Sequence, residues 1–114
     1  MTLGAAAFPI LPGKTDDWRK FIGELNGARR QEYEASRKAL GIHERSFFQP
    51  TPMGDMVIVT LEGDDPGGAF ARFANSTDPF STWFLAKVKE LHGFDLAQVA
   101  AGPMPALAVD SASK

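Results

Sequence analysis

The sequence predicts a single α+β domain with the element order βαββαβ. Three observations predict it. Short apolar runs end at turn residues, two segments carry apolar residues at helical spacing, and a short connector joins two of the predicted strands. A chain of 114 residues with 44% apolar and 23% charged residues is typical of one globular domain. We therefore assign residues 1–114 to one domain.

The first strand and the first helix follow from the beginning of the chain. Ala5 to Leu11 is apolar, and Pro12-Gly13 follows it, which predicts a short strand closed by a turn. Thr15 is the predicted N-cap, and Gly41 is placed to end the helix in a left-handed conformation. Between them, one long helix is predicted from apolar residues at helical spacing: Trp18, Phe21, Ile22, Leu25, Ala28, Ala35, Ala39 and Leu40.

Two strands and a hairpin are predicted next. Ile42 to Gln49 is followed by a turn-rich connector over residues 50–54, and Met56 to Leu61 is apolar and β-branched. A connector this short favours an antiparallel hairpin.

The C-terminal half is predicted to be helical before a last strand. Asp65 and Asp78 each precede a proline, which is a signal for a helix N-terminus, and Gly93 is predicted to end the last helix. The last strand is predicted over Ala106 to Val109, after a proline-rich breaker. The apolar stripe of the last helix comprises Phe80, Trp83, Phe84, Val88 and Leu91.

This order predicts a four-stranded antiparallel sheet with both helices on one face, because the crossover connections are right-handed. The other sheet face is then bare. Apolar surface of that extent is best buried against the same face of a second copy. The sequence therefore predicts a homodimer that pairs through its open sheet face.

Composition excludes several classes of partner and cofactor. The net charge is −2, from 12 basic and 14 acidic residues without a basic tract, so we expect no nucleic-acid binding. No apolar run approaches a membrane span, and Met1 to Phe8 lacks the basic residue of a secretory signal. The chain has no cysteine and two histidines far apart, so we expect no metal site and no cofactor. The default expectation is a cytoplasmic protein.

Several short motifs carry a resemblance. They are Pro12-Gly13-Lys14, Arg29-Arg30-Gln31-Glu32, Glu44, Phe47-Phe48, Asp78-Pro79-Phe80 and Trp83-Phe84. With these motifs the chain resembles the dimeric α/β-barrel, or ferredoxin-like, superfamily, and within it a group of small bacterial proteins of uncharacterised function. The resemblance implies a dimer with a cavity between sheet and helices or between sheets. The superfamily includes cofactor-free monooxygenases, sugar mutarotases and haem-degrading enzymes, so the resemblance selects no chemistry.

Arg29 and Glu32 continue the apolar stripe of the long helix after Leu25, so both are predicted to point at the sheet. Glu44 alternates with Phe48 and is predicted on the sheet face below them. Arg29 would then bridge Glu32 and Glu44. Two interpretations stay open: a buried ion network that fixes helix on sheet, or the polar floor of a ligand pocket.

His43 and Arg45 are predicted on the opposite face of the same strand. A histidine can act as a general base, and an arginine can hold an oxyanion, so these two and Glu44 are the candidate catalytic residues. The alternative is a histidine at the rim and a solvated arginine.

Three further residues are candidate ligand contacts. Tyr33 flanks the main stripe of the long helix and either hydrogen-bonds a ligand or rests half-buried at the surface. Asp78 is most simply a helix cap, and Trp83 is more typical of a core than of a ligand platform.

Three functional hypotheses follow. The first is a dimeric protein that binds a small molecule in a cavity. The second is a cofactor-free monooxygenase, isomerase or mutarotase that acts on a small apolar metabolite. The third is a protein-interaction module. A pocket that reaches the candidate residues would favour the first two.

Overall fold

The structure is a computed structural model that describes residues 1–112 and contains a three-stranded sheet and five helices. In chain order the elements are β1 (Thr2–Pro9), α1 (Thr15–Asn26), α2 (Arg30–Leu40), β2 (Ile42–Thr51), β3 (Gly54–Gly63), α3 (Pro66–Ala74), α4 (Pro79–His92) and α5 (Leu96–Ala101). The predicted α+β class is confirmed.

The sheet is antiparallel, with the strand order β1-β3-β2. β2 and β3 form the predicted hairpin, and β3 is the central strand. Val59 pairs with Ala6 on one side and with Ser46 on the other, so these three residues form a row across the sheet.

All five helices lie on one face of this sheet, as their contacts with its inward residues show. Ala6, Val57 and Leu61 are buried on that inner face. They pack against aromatic and aliphatic side chains from the helices, including Trp18, Phe21, Leu25, Phe70, Phe73, Phe84 and Val88. Successive side chains of a strand alternate between faces, and those on the opposite, outer face, such as Ala7, Ile58 and Phe47, are exposed or half-buried.

The predicted fourth strand over Ala106 to Val109 is wrong. These residues form no strand, and α5 follows α4 instead, capped by Asp95, whose carboxylate accepts from the Ala97 amide at 3.0 Å. Pro103 and Pro105 precede the segment, and a proline nitrogen cannot donate a ladder hydrogen bond. Within residues 1–112 the sheet therefore has three strands, and the βαββαβ order is not completed.

The predicted single long helix is also wrong, because the chain breaks between Asn26 and Arg30. Gly27 has φ −126° and ψ −106°, outside the helical region. Asn26 and Gly27 are poor helix formers, and two such residues in sequence lower the cost of a break. Thr15 begins α1 but is not its cap, since its hydroxyl donates to Asp55 Oδ2 at 2.6 Å.

The other predicted helix boundaries are confirmed. Asp65 caps α3 by accepting from the Gly68 amide at 3.0 Å. Gly41 and Gly93 end α2 and α4 with φ of 71° and 80°, a left-handed conformation that glycine adopts without strain. Within the described part of the chain, no helix is both long and apolar enough to cross a membrane.

Candidate functional site

A cavity of about 70 Å³ lies between the inner sheet face and the helices. Its floor is the row of short side chains Ala6, Val59 and Ser46, and its walls are largely aromatic and aliphatic. Short residues on the floor leave space that the rings above do not fill. Ser46 is exposed although it lines the cavity, and β2 is an edge strand. The cavity therefore opens at this edge.

A buried ion pair stands beside that opening. Arg37 Nε donates to Glu44 Oε1 at 3.0 Å, and the two side chains are 7% and 10% exposed. The Tyr33 hydroxyl donates to Glu44 Oε2 at 2.6 Å, and Arg37 Nη1 donates to Ser36 Oγ at 3.0 Å. Both carboxylate oxygens of Glu44 are thus satisfied, as a buried charge requires.

Aromatic rings surround the Arg37 guanidinium. Its central carbon is 4.2 Å from the centre of the Phe73 ring and 4.7 Å from that of Phe84. It lies 4.9 Å from the centre of the Tyr33 ring. Attraction to the ring faces partly replaces the water that Arg37 loses on burial. The charge is therefore held in one position against the core.

The same cluster keeps Tyr33 protonated. Burial raises the pKa of the Tyr33 phenol above its ordinary value, and the negative charge of Glu44 raises it further. Tyr33 is therefore a hydrogen-bond donor to Glu44 at every physiological pH.

A second hollow, a surface cleft of about 440 Å³, lies on the outer side of this ion pair, between α2 and the beginning of β2. Leu25, Arg37 and Glu44 line both the cavity and the cleft. The Arg37–Glu44 pair therefore stands between a mostly apolar interior and a polar exterior. The other residues of the cleft are Asn26, Arg30, Tyr33, Glu34, Lys38, Ile42 and His43.

His92 lines another part of the cavity and is itself buried. Its Nδ1 donates to the Pro9 carbonyl oxygen at 2.8 Å, since a carbonyl only accepts. The ring packs against both Phe8 and Phe94, with centroid distances of 5.8 Å and 6.0 Å. Burial lowers the pKa of His92, so the neutral ring is favoured.

The structure brings together three of the residues that the sequence singled out. Glu44, Tyr33 and His43 all line the cleft, and Glu44 also reaches the cavity. Their catalytic or ligand-binding roles stay predictions.

Arg29 does not belong to this cluster, and its predicted bridge to Glu44 is wrong. Its Nη1 donates to Glu32 at 3.2 Å, which confirms that contact, and its Nε lies 3.6 Å from Glu24. Its guanidinium carbon lies 4.0 Å from the centre of the Trp83 ring. The break after Asn26 changes the helical phase, so the stripe of α1 does not continue through Arg29.

Arg37 is the residue that sequence reasoning missed. Two signals point to it: Tyr33 is four residues earlier on the same helix face, and the chain reverses at Gly41 just before Glu44. In a helix followed at once by a strand, the last turn lies over the first residues of that strand.

The remaining candidates lie away from both hollows. Arg45 is on the outer sheet face, where its Nη1 lies 3.3 Å from Glu62 Oε1. Asp78 caps α4, with Ser81 Oγ donating to it at 2.7 Å. That bond and the Ser81 amide lower the pKa of the Asp78 carboxyl. Trp83 packs against Phe21 and Phe80.

Comparisons with known proteins do not assign this chain to a family. No protein-family model, curated protein or solved structure matches this chain. Membership of the dimeric α/β-barrel superfamily therefore stays a prediction from the motifs. Over residues 1–112, no three His, Asp or Glu side chains come together in a way that could hold a metal ion.

Proposed function

We propose that this domain binds a small amphipathic molecule, with its apolar part in the cavity and its polar part in the cleft. The observation that carries the proposal is the shared boundary of the two hollows. Leu25, Arg37 and Glu44 line both, so the two hollows are adjacent, and the proposed molecule extends from one to the other past the Arg37–Glu44 pair. Apolar walls with a few polar groups at one end are typical of small-molecule sites.

The volumes limit the size of the ligand. An engineered cavity of about 150 Å³ in another protein accommodates benzene. A cavity of about 70 Å³ is about half that volume, so it takes the last few carbons of an alkyl chain rather than a ring, and the rest of the chain lies towards the cleft. The cleft of about 440 Å³ is the larger space, and it is open to water. The ligand is therefore a molecule with a short apolar chain and a solvated head.

Trp18 provides a direct test because its ring lines the cavity. In a Trp83→Phe background, Trp18 is the remaining tryptophan and reports the cavity alone. We expect hexanol to change its fluorescence in a saturable way. Ala6→Leu places a longer side chain in the cavity floor and should abolish the change. Ala86→Leu, at an exposed position of α4, is the matched control and should leave binding intact.

Two outcomes would overturn the proposal. One is a Trp83→Phe protein whose Trp18 fluorescence and backbone amide NMR shifts do not respond to hexanol. The other is an Ala6→Leu variant that stays folded and still binds with unchanged affinity.

A second proposal concerns the outer sheet face, which pairs with the same face of a second copy. Ala7, Ile58 and Phe47 form an apolar row across it, and Phe47 is 52% exposed. Arg45 and Glu62 form a pair of opposite charges beside that row.

These charges make the face complementary to itself. A two-fold axis that lies parallel to the sheet and crosses the line from Arg45 to Glu62 at its midpoint and at a right angle sets Arg45 over the partner subunit's Glu62, and the reverse. A copy of this chain is therefore the occupant that fits both the apolar row and the charges.

Sedimentation equilibrium tests this pairing. We expect a dimer for the wild type and a monomer for Phe47→Glu, because a buried unpaired carboxylate is costly. Leu107→Glu, at a position that is 79% exposed outside this face, is the control. Arg45→Glu should weaken the dimer, and Arg45→Glu with Glu62→Arg should restore it. A wild type that is monomeric at high concentration would overturn the pairing.

A further inference from the structure

The cleft carries more positive than negative side chains. Arg30, Arg37 and Lys38 face it, against Glu34 and Glu44. The chain as a whole has a net charge of −2, so this surplus is a local feature rather than a reflection of the composition.

The pairing of these charges shows where the surplus lies. Arg37 is bound to Glu44, and Arg30 Nε lies 3.2 Å from Glu34 Oε2. None of the ion pairs formed by residues 1–112 includes Lys38. His43, at the beginning of β2, is exposed and also lines the cleft. The unpaired positive charge of Lys38 therefore lies at the solvent-exposed end of the proposed ligand site.

We infer that the ligand is an anionic amphiphile: a short-chain carboxylate whose alkyl group enters the cavity and whose carboxylate faces Lys38 and Arg30. This inference rests on the proposed function and names the class of its ligand. The head group stays in the open cleft, so it keeps most of its hydration and loses little free energy on binding. The alkyl group is the part that leaves water.

The charge on the cleft also excludes the opposite class of head group. An ammonium at the same place would face Lys38 and Arg30 with like charge. We therefore expect the binding affinity to decrease from a carboxylate to an alcohol to an amine head group.

A series of three probes with one chain length tests this ranking. Hexanoate, hexanol and hexylamine are titrated into the Trp83→Phe protein, with Trp18 fluorescence as the measurement. An exposed charge pair contributes roughly a two- to fivefold change in affinity, so the unpaired Lys38 should favour hexanoate over hexanol by roughly two- to fivefold. Added salt should remove this preference and leave hexanol binding unchanged.

Lys38→Gln should weaken hexanoate binding by roughly two- to fivefold without affecting hexanol. Lys87→Gln is the matched control, because Lys87 lies on α4 near Glu90 and does not line the cleft. If hexanol binds and hexanoate binds no more tightly, the anionic class is wrong and the proposed function stands. If none of the three probes binds, the proposed function itself fails.

Discussion

Glu44 and Arg45 are neighbours in β2, yet they belong to two different regions of the molecule. Glu44 is on the inner sheet face, where its Oε1 lies 3.0 Å from Arg37 Nε. The side chain of Arg37 is 7% exposed and that of Glu44 is 10% exposed. Arg45 is on the outer face and pairs with Glu62 at 3.3 Å, with side chains 47% and 37% exposed. The two distances are almost equal, but the first pair is buried and the second is exposed to solvent.

Burial, rather than distance, decides how much each of these ion pairs contributes to stability. On the outer face, water and salt screen the attraction between Arg45 and Glu62. On the inner face, little water reaches Glu44, so the loss of either partner leaves a charge without hydration or a counterion.

The largest effect is expected from Glu44→Gln. This change leaves the Arg37 guanidinium buried beside a neutral amide, and we expect the free energy of unfolding to fall by about 3–5 kcal/mol. Urea denaturation measures it. Glu62→Gln is the same change on the outer face and should cost less than about 1 kcal/mol in the monomer. Equal losses for the two variants would contradict the comparison.

Tyr33→Phe should have the next largest effect. It removes the hydroxyl that donates to Glu44 at 2.6 Å, and a hydrogen bond to a charged group contributes about 1.5–3 kcal/mol. A double-mutant cycle with Glu44→Gln measures whether the two residues act together. A coupling energy of zero would show that the hydroxyl does not stabilise the carboxylate.

The two histidines extend the comparison to pH. Burial lowers the pKa of His92 in the folded state, so the unfolded chain binds more protons near its ordinary value of 6.5. The His92 contribution is therefore complete above about pH 6.5 and is lost as the pH falls through the folded-state pKa. Urea denaturation between about pH 5 and 7 measures this loss.

His92→Gln should flatten that part of the pH profile. His43→Gln is the matched control, the same substitution at the exposed histidine on the outer sheet face. A profile that His43→Gln flattens instead would contradict the assignment.

The smallest effect is expected from the outer ion pair. A double-mutant cycle of Arg45→Gln and Glu62→Gln, measured on the monomer, should give a coupling energy below about 1 kcal/mol that disappears in high salt. The corresponding cycle for Arg37 and Glu44 should give a larger coupling that salt reduces little. A strong, salt-resistant coupling on the outer face would show that burial does not explain the difference between the two ion pairs.

Local signals were sufficient for much of the fold. Asp65 and Asp78 were predictable as caps because a carboxylate before a helix accepts amide hydrogen bonds within a few residues. Gly41 was predictable as a helix end for the same local reason. The β2–β3 hairpin followed from a short connector, which leaves two strands no other simple arrangement.

The candidate site was only partly predictable. Glu44 and Tyr33 were singled out, but their partner was taken to be Arg29 rather than Arg37. The error came from one break after Asn26, which rotates every later side chain relative to the stripe of α1. The cavity was equally hidden, because its floor depends on the register that places Ala6 and Ser46 beside Val59.

The sequence by itself determined the α+β class, the helix boundaries marked by Asp65, Asp78, Gly41 and Gly93, and the alternation that separates Glu44 from Arg45. These depend on interactions within a few residues, which a linear pattern records. The partner of Glu44 and the burial of His92 were decided only by the tertiary structure. These depend on packing between distant segments, and a single sequence does not record which segments meet.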